Sequence, residues 1–236
     1  MKLRECFDSL DKGDGASVKF ANFFDVYDQH LYAIRDRIRK VLEVGVEGGG
    51  SLTLWSRYFP NIERVVGLDT HDACTKWSRG KIMVYHGDAS SHSFVEEVCE
   101  KEGGFDLIID DGSHNQDEVR CAFEYMWPHL RADGWYIVED TQCSYWERRG
   151  GGLKAAGSAV ELCKDLVDSV TWWAIEGKAA QVPGMVKYNG QIRGVHFHPA
   201  AVFIEKGPEP SHHLRYAFSN PEEQAKWIAD HPGVYK

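Results

Sequence analysis

The sequence predicts an α/β protein built on a doubly wound seven-stranded sheet, mostly parallel, with an antiparallel hairpin at its C-terminal end. Three observations predict it. Short β-branched runs alternate with helix-patterned segments from Val41 to Glu139; the glycines Gly45, Gly48, Gly49 and Gly50 directly follow the first run; and two late strand-like runs flank Pro199-Ala200. Parallel strands need long crossovers, which helices supply, so a βαβα rhythm reads as a parallel sheet covered on both faces.

The elements follow in order. Residues 20–39 place Phe23, Val26, Tyr27, Leu31, Ile34 and Ile38 at helical spacing, an amphipathic helix leading into the domain. Val41-Leu42-Glu43-Val44 is a first strand, the glycines make a tight turn, and residues 51–58 are the helix after it. Arg64–Asp69, Ile82–His86 and Phe105–Asp110 are the next strands, with a helix over residues 91–101. A helix over 116–130, with Pro128 near its end, leads to a fifth strand at 134–139. Residues 148–157 read as mobile, 158–170 as a helix, and 177–194 as a turn-rich stretch suited to a flexible active-site cover. Residues 195–198 and 201–205 form the hairpin that closes the sheet edge.

A chain of 236 residues, 43% of them hydrophobic, is enough for one large buried core, so 1–236 reads as a single domain with a lead-in at 1–19 and a tail at 207–236. The net charge of −9 offers no broad cationic surface for phosphates, which excludes long nucleic acids and favours a small neutral or cationic substrate. No segment has the roughly 18 uncharged apolar residues that a membrane span needs, and the N-terminus has no signal-like run, so a soluble, cytoplasmic protein without a membrane partner is expected. The six cysteines are widely spaced with no CxxC pair, so they are expected as free thiols.

Ligands of doubly wound sheets bind beyond the carboxyl ends of the strands, near the point where strand order reverses. The glycine turn after the first strand falls there. Its pattern Glu43-x-Gly45-x-x-x-Gly49 departs from GxGxxG, and Glu47 would repel a pyrophosphate, so a cofactor without phosphates is favoured. S-adenosylmethionine meets that requirement. Asp69, ending the second strand, suits the ribose hydroxyls, and Asp88-Ala89 after the third suits the adenine. The expected cofactor set is Glu43, Gly45, Glu47, Gly49, Ser51, Asp69, Asp88, Ala89 and Asp110.

Asp110-Asp111-Gly112-Ser113-His114 ends the fourth strand and Glu139-Asp140-Thr141 ends the fifth, its expected neighbour. Converging carboxylates repel unless they are protonated or share a cation, and oxygen ligands select a hard ion such as Mg²⁺, with Mn²⁺ or Ca²⁺ as alternatives. Asp111, Glu139 and Asp140 are the expected ligands. A metal acidifies a bound hydroxyl and a base removes its proton; His114, three residues beyond Asp111, is the expected base. Neighbouring strand residues point to opposite faces, so both acids of a pair reach one ion only if the strand has already ended. His196 and His198 share a face of a strand and, with His212-His213, read as structural or at most substrate-facing; Trp146, Trp172 and Trp173 suit a pocket wall or packing.

These stretches resemble the metal-dependent sugar O-methyltransferases of macrolide biosynthesis and the related cephalosporin hydroxylase-like group. The resemblance runs from about residue 20 to 206 and is carried by VLEVGVEGGGSLTLWSRYFP, VVGLD, HGDAS, FDLIIDDGSH, GWYIVEDTQ and VFIEK. It implies a Rossmann-like class I methyltransferase using S-adenosylmethionine and Mg²⁺, with His114 as base and Tyr27 bordering the cofactor. It also implies a sugar hydroxyl on a natural product as acceptor and a homo-oligomer. The residues themselves leave two other classes open: an NAD-dependent oxidoreductase, against which Glu47 counts, and a non-catalytic interaction protein, against which the intact acid and histidine cluster counts.

Overall fold

Val41, Leu42, Glu43 and Val44 are all buried, as a strand covered on both faces must be, and β1 (Lys40–Val44) lies inside the sheet. The structure is a computed structural model that describes residues 1–11, 13–172, 186–208 and 220–230. Residues 177–185 of the expected cover, Trp173, His212-His213 and most of the tail lie outside the described residues.

β1 pairs in parallel with β2 (Arg64–Asp69) on one side and β4 (Phe105–Asp110) on the other. β3 (Ile82–His86) extends the sheet beyond β2, and β5 (Leu130–Glu139) extends it beyond β4. The order is completed by β7 (Ala201–Lys206), antiparallel to β5, and β6 (Ile192–His198) at the edge, giving β3-β2-β1-β4-β5-β7-β6. All seven expected strands are present. Strand order reverses between β1 and β4, and a crevice opens there.

Alternation along the strands divides the core. Val41, Val65 and Ile109 face α2 (Ala21–Leu31) and α3 (Gly50–Tyr58), packing with Phe23, Tyr27, Trp55 and Tyr58. Leu42, Val66 and Ile108 face the other way, against α4 (His92–Glu102), α5 (Gln116–Met126) and α6 (Ala159–Val170), with Val95, Phe123 and Cys163. The lead-in carries a short helix, α1 (Leu3–Asp8), and a further helix, α7 (Pro221–Asp230), lies in the tail.

Three boundaries and one loop differ from the sequence reading, the first being β6, which starts at Ile192, inside the stretch read as turn-rich. The lead-in helix leaves α geometry after Leu31 and continues as a 3-10 turn over Tyr32–Arg37. α5 ends at Met126, because Pro128 lacks an N–H and its ring clashes with the preceding turn; β5 then starts earlier, at Leu130. Residues 148–157, read as mobile, are tied down: Gly151 N donates to Trp146 O at 3.0 Å, Gly152 N to Ser144 O at 2.9 Å, and Arg149 Nη1 to Ser113 O at 2.7 Å. All six cysteines are free, and among the described residues no helix is long and apolar enough to cross a membrane.

Candidate active site

A cavity of about 680 Å³ opens at the carboxyl ends of β1, β2, β4 and β5. The turn after β1 forms its floor, and Gly45 sets that turn: φ is +87°, and a Cβ there would stand 2.2 Å from the carbonyl oxygen of Asp111. Only glycine tolerates both the left-handed backbone and that approach. The turn is thereby pressed against the end of β4.

At one end of the cavity, Asp69 is locked by the backbone. Its Oδ2 accepts from Val46 N at 2.9 Å and Glu47 N at 3.0 Å, and its Oδ1 accepts from His71 N at 2.7 Å. Burial would raise its carboxyl, but these donors outweigh it and hold the group below its usual range. Asp88 accepts from Ser90 N at 2.8 Å and Ser90 Oγ at 2.7 Å, an Asx turn that presents Asp88-Ala89 to the cavity. Gly45, Glu47 and Ser51 also line the wall.

Glu43, Gly49 and Tyr27, expected to touch a cofactor, stand behind the wall instead. Glu43 is wholly buried, accepting from Ser51 Oγ at 2.7 Å and Trp55 Nε1 at 3.1 Å, and burial pushes its carboxyl up to about 7. Gly49, φ +74°, fits against Trp77, whose ring a Cβ would meet at 2.4 Å. Tyr27 stacks on Trp55 with ring centroids 5.1 Å apart and reaches the site only through its hydroxyl. These three support the turn and the acids from inside the core.

At the other end the acids separate by face. Asp110, the last residue of β4, is buried beside the Tyr136 hydroxyl, which donates to it at 3.4 Å; burial pushes the carboxyl up to about 7. Asp111 lies beyond the strand and points into the cavity. β5 ends at Glu139, and Asp140 takes φ +54°, which breaks strand alternation at the point where the geometric conflict was expected. Asp111, His114 and Asp140 come together with ligand atoms within 4.8 Å of one another. His114 Nε2 lies 3.3 Å from Asp140 Oδ2 and 4.0 Å from Asp111 Oδ1. Three non-glycine residues of the cavity, Glu47, His114 and Asp140, hold positive φ, which concentrates backbone strain around this one cavity.

Glu139, expected as a metal ligand, has both oxygens engaged within the protein. Tyr27 Oη donates to Oε1 at 2.6 Å and Lys19 Nζ donates to Oε2 at 2.7 Å. Sequence reasoning missed Lys19. Its ammonium also donates to Asp111 Oδ2 at 2.7 Å and lies 3.8 Å from Glu43 Oε1, with the side chain only 4% exposed. Burial alone would lower its pKa, but Glu139, Asp111 and Glu43 outweigh it and keep Lys19 protonated. The lead-in is fixed by a bridge along the glycine turn, where Ala16 N donates to Gly48 O and Gly50 N to Ala16 O, each at 3.0 Å. The available signal was charge balance: several acids converging on one buried place require a cation.

His196 and His198 lie away from the cavity. They pack with His30 and Trp135, His30 Nε2 standing 2.8 Å from His198 Nε2, so they are structural. Trp146 is 37% exposed beside Arg148, and neither it nor Trp172 lines the cavity.

Residues 42–141 match the methyltransferase domain family, to which this part of the chain belongs, and the sheet has the class I methyltransferase fold. The curated proteins that the chain matches are named O-methyltransferases. It is 34% identical over 191 residues to mycinamicin VI 2''-O-methyltransferase of Micromonospora griseorubida, covering 77% of this chain and 47% of that protein. It is 41% identical over 158 residues to L-olivosyl-oleandolide 3-O-methyltransferase of Streptomyces antibioticus, covering 61% of this chain and 40% of that one. The crystal structure of the MycE methyltransferase in complex with Mg, SAH and mycinamycin VI superposes with a TM-score of 0.76 at 29% identity, over 91% of this chain and 57% of that one. The chain thus spans about half the length of the curated relatives it matches.

Proposed function

We propose that the protein is an S-adenosylmethionine-dependent, Mg²⁺-assisted O-methyltransferase that acts on a sugar hydroxyl of a glycosylated natural product. The observation that carries this reading is the single cavity that joins the Gly45 turn and Asp69 at one end to Asp111, His114 and Asp140 at the other. The relatives' substrates and the Mg and SAH bound by the MycE methyltransferase support it.

The donor set fits a hard cation: two carboxylates with free oxygens, opposite an imidazole that can stay unligated. Asp111 and Asp140 would hold the ion, with Glu139 within reach only if it gives up Lys19. When bound, Mg²⁺ lowers the pKa of an alcohol on it and fixes the oxygen's position. On the donor side, Asp69 would accept from a ribose hydroxyl on the one Oδ1 lone pair that Val46, Glu47 and His71 leave free, and Asp88-Ala89 would border the adenine. Glu47 lines the same cavity, where it would suit a cationic donor and repel a pyrophosphate.

His114 removes the acceptor's hydroxyl proton at Nε2 while Asp140, 3.3 Å away, steadies the imidazolium that forms. S-adenosylmethionine, when bound, would supply the methyl group: the acceptor oxygen would gain the O–C bond as the C–S bond breaks, with that bond's electron pair staying on sulfur. Assembly as a homo-oligomer is part of the same reading and is tested by analytical ultracentrifugation.

Titration calorimetry with S-adenosylhomocysteine and with NADH, each with Mg²⁺ and with excess EDTA, tests the class. Micromolar binding of S-adenosylhomocysteine and none of NADH is expected. NADH binding alone would replace the reading with an oxidoreductase, and silence from both with a non-catalytic role. Turnover on a demethylated, glycosylated macrolide then tests the acceptor class.

A further inference from the structure

The acid cluster of the cavity already contains a cation of its own. Lys19 Nζ sits 2.7 Å from Asp111 Oδ2 and 2.7 Å from Glu139 Oε2, and its side chain is 4% exposed. A divalent ion bound to the same two oxygens at about 2.1 Å would fall in the gap this ammonium fills, or close enough against it to be repelled. The two cations therefore exclude one another at this pair of carboxylates.

We propose that Lys19 is a displaceable internal counter-ion, which withdraws from Asp111 and Glu139 when a divalent ion takes both carboxylates. The proposal rests on the metal-assisted reading above and concerns a residue that reading does not use. Three features carry it. Asp111 is shared, with Oδ2 on Lys19 and Oδ1 turned toward His114, so it belongs to both cation sites at once. Glu139 and Asp140 are consecutive, so release of Glu139 adds a third carboxylate to the ion without rebuilding the chain. Lys19 stands on a segment without regular structure, anchored to the glycine turn at Ala16 through two hydrogen bonds.

In the ion-free protein, Lys19 prevents Glu43, Asp111 and Glu139 from repelling one another. Residues Ala16 to Phe20 also line the cavity, so withdrawal of Lys19 enlarges the space beside the glycine turn as the ion enters. Metal binding and rearrangement of this strap are then one event.

The test uses Mn²⁺ as probe, its free concentration read by electron paramagnetic resonance, on the wild type, Lys19→Gln and Lys19→Arg without methyl donor. Lys19→Gln is expected to bind Mn²⁺ at least tenfold more tightly than the wild type, and Lys19→Arg, which keeps the charge, no more tightly. In parallel, saturating Mn²⁺ is expected to speed amide hydrogen exchange across residues 16–20 of the wild type, a readout that stands if Lys19→Gln fails to fold. Equal or weaker Mn²⁺ binding by Lys19→Gln, or exchange at 16–20 that Mn²⁺ leaves unchanged or slows, overturns the proposal while the metal-assisted reading stands. Absence of Mn²⁺ binding by wild type and variants alike overturns that reading and this proposal together.

Discussion

His114 Nε2 faces Asp140 Oδ2 across 3.3 Å, and both residues reach that position through positive φ, +56° and +54°. Neither side chain is buried beyond the cavity's reach, so the pair is accessible to an acceptor while its geometry is fixed by the backbone. His114→Ala is expected to lower kcat by roughly 10² to 10⁴-fold, the usual contribution of a positioned general base, and to leave S-adenosylhomocysteine affinity within about twofold. Single-turnover methyl transfer, set beside calorimetry, separates the two; unchanged turnover would remove His114 as the base.

Asp111 serves two partners, and Asp111→Asn weakens both. Removing its charge is expected to reduce Mn²⁺ affinity at least tenfold and to lower activity in parallel, with partial recovery at high metal concentration. A metal titration of initial rates checks this, and loss of activity with unchanged metal affinity would place the ion elsewhere.

Asp110 gives a prediction about pH. Burial raises its carboxyl from 3.8 to about 7, so between those values the folded protein holds a proton that the unfolded chain has lost. Stability from this group is complete below about pH 4 and falls as pH rises to about 7, by at most about 4 kcal/mol at roughly 1.4 kcal/mol for each tenfold change in proton affinity. Asp110→Asn is expected to flatten that part of the Tm profile, gaining on the wild type as pH increases. Parallel Tm profiles for the two proteins would show that Asp110 is ionised in the fold.

Gly45→Ala would place a methyl 2.2 Å from Asp111 O at a φ of +87°. Strain of about 1–3 kcal/mol at the backbone, together with the displaced carbonyl, is expected to lower stability by more than about 2 kcal/mol and to weaken S-adenosylhomocysteine binding. Urea unfolding and calorimetry measure the two effects. A variant as stable as the wild type would mean that the turn can move away from β4.

The sheet was legible because its signals are local. Val41, Leu42 and Val44 put apolar residues on both faces, the glycines follow at once, and Asp69 ends β2 while Asp88, Asp111 and Asp140 lie just past the ends of β3, β4 and β5, so their convergence at one rim follows from topology. What escaped depended on distance or on backbone choices that composition does not mark. Glu139 and Asp140 look equivalent as letters, yet a left-handed φ at Asp140 sends one to His114 and leaves the other with Tyr27 and Lys19. Lys19 lies in ASVKF, where no spacing marks it. The break after Leu31 was hidden because Ile34 and Ile38 continue the apolar period through a 3-10 turn.

Glu139 meets Lys19 across 120 positions of sequence and Tyr27 across 112. A chain made from its N-terminus exposes both donors long before their acceptor leaves the ribosome, so the lead-in cannot dock on its final partner while the first four strands are being synthesised. The reactive corner of the molecule is therefore among the last parts to mature. Until β5 arrives, Lys19 and Tyr27 lack their shared acceptor, and a ribosome stalled short of Glu139 would carry the glycine turn, Asp69 and a strap held at Ala16, but not the carboxylate that joins the two donors.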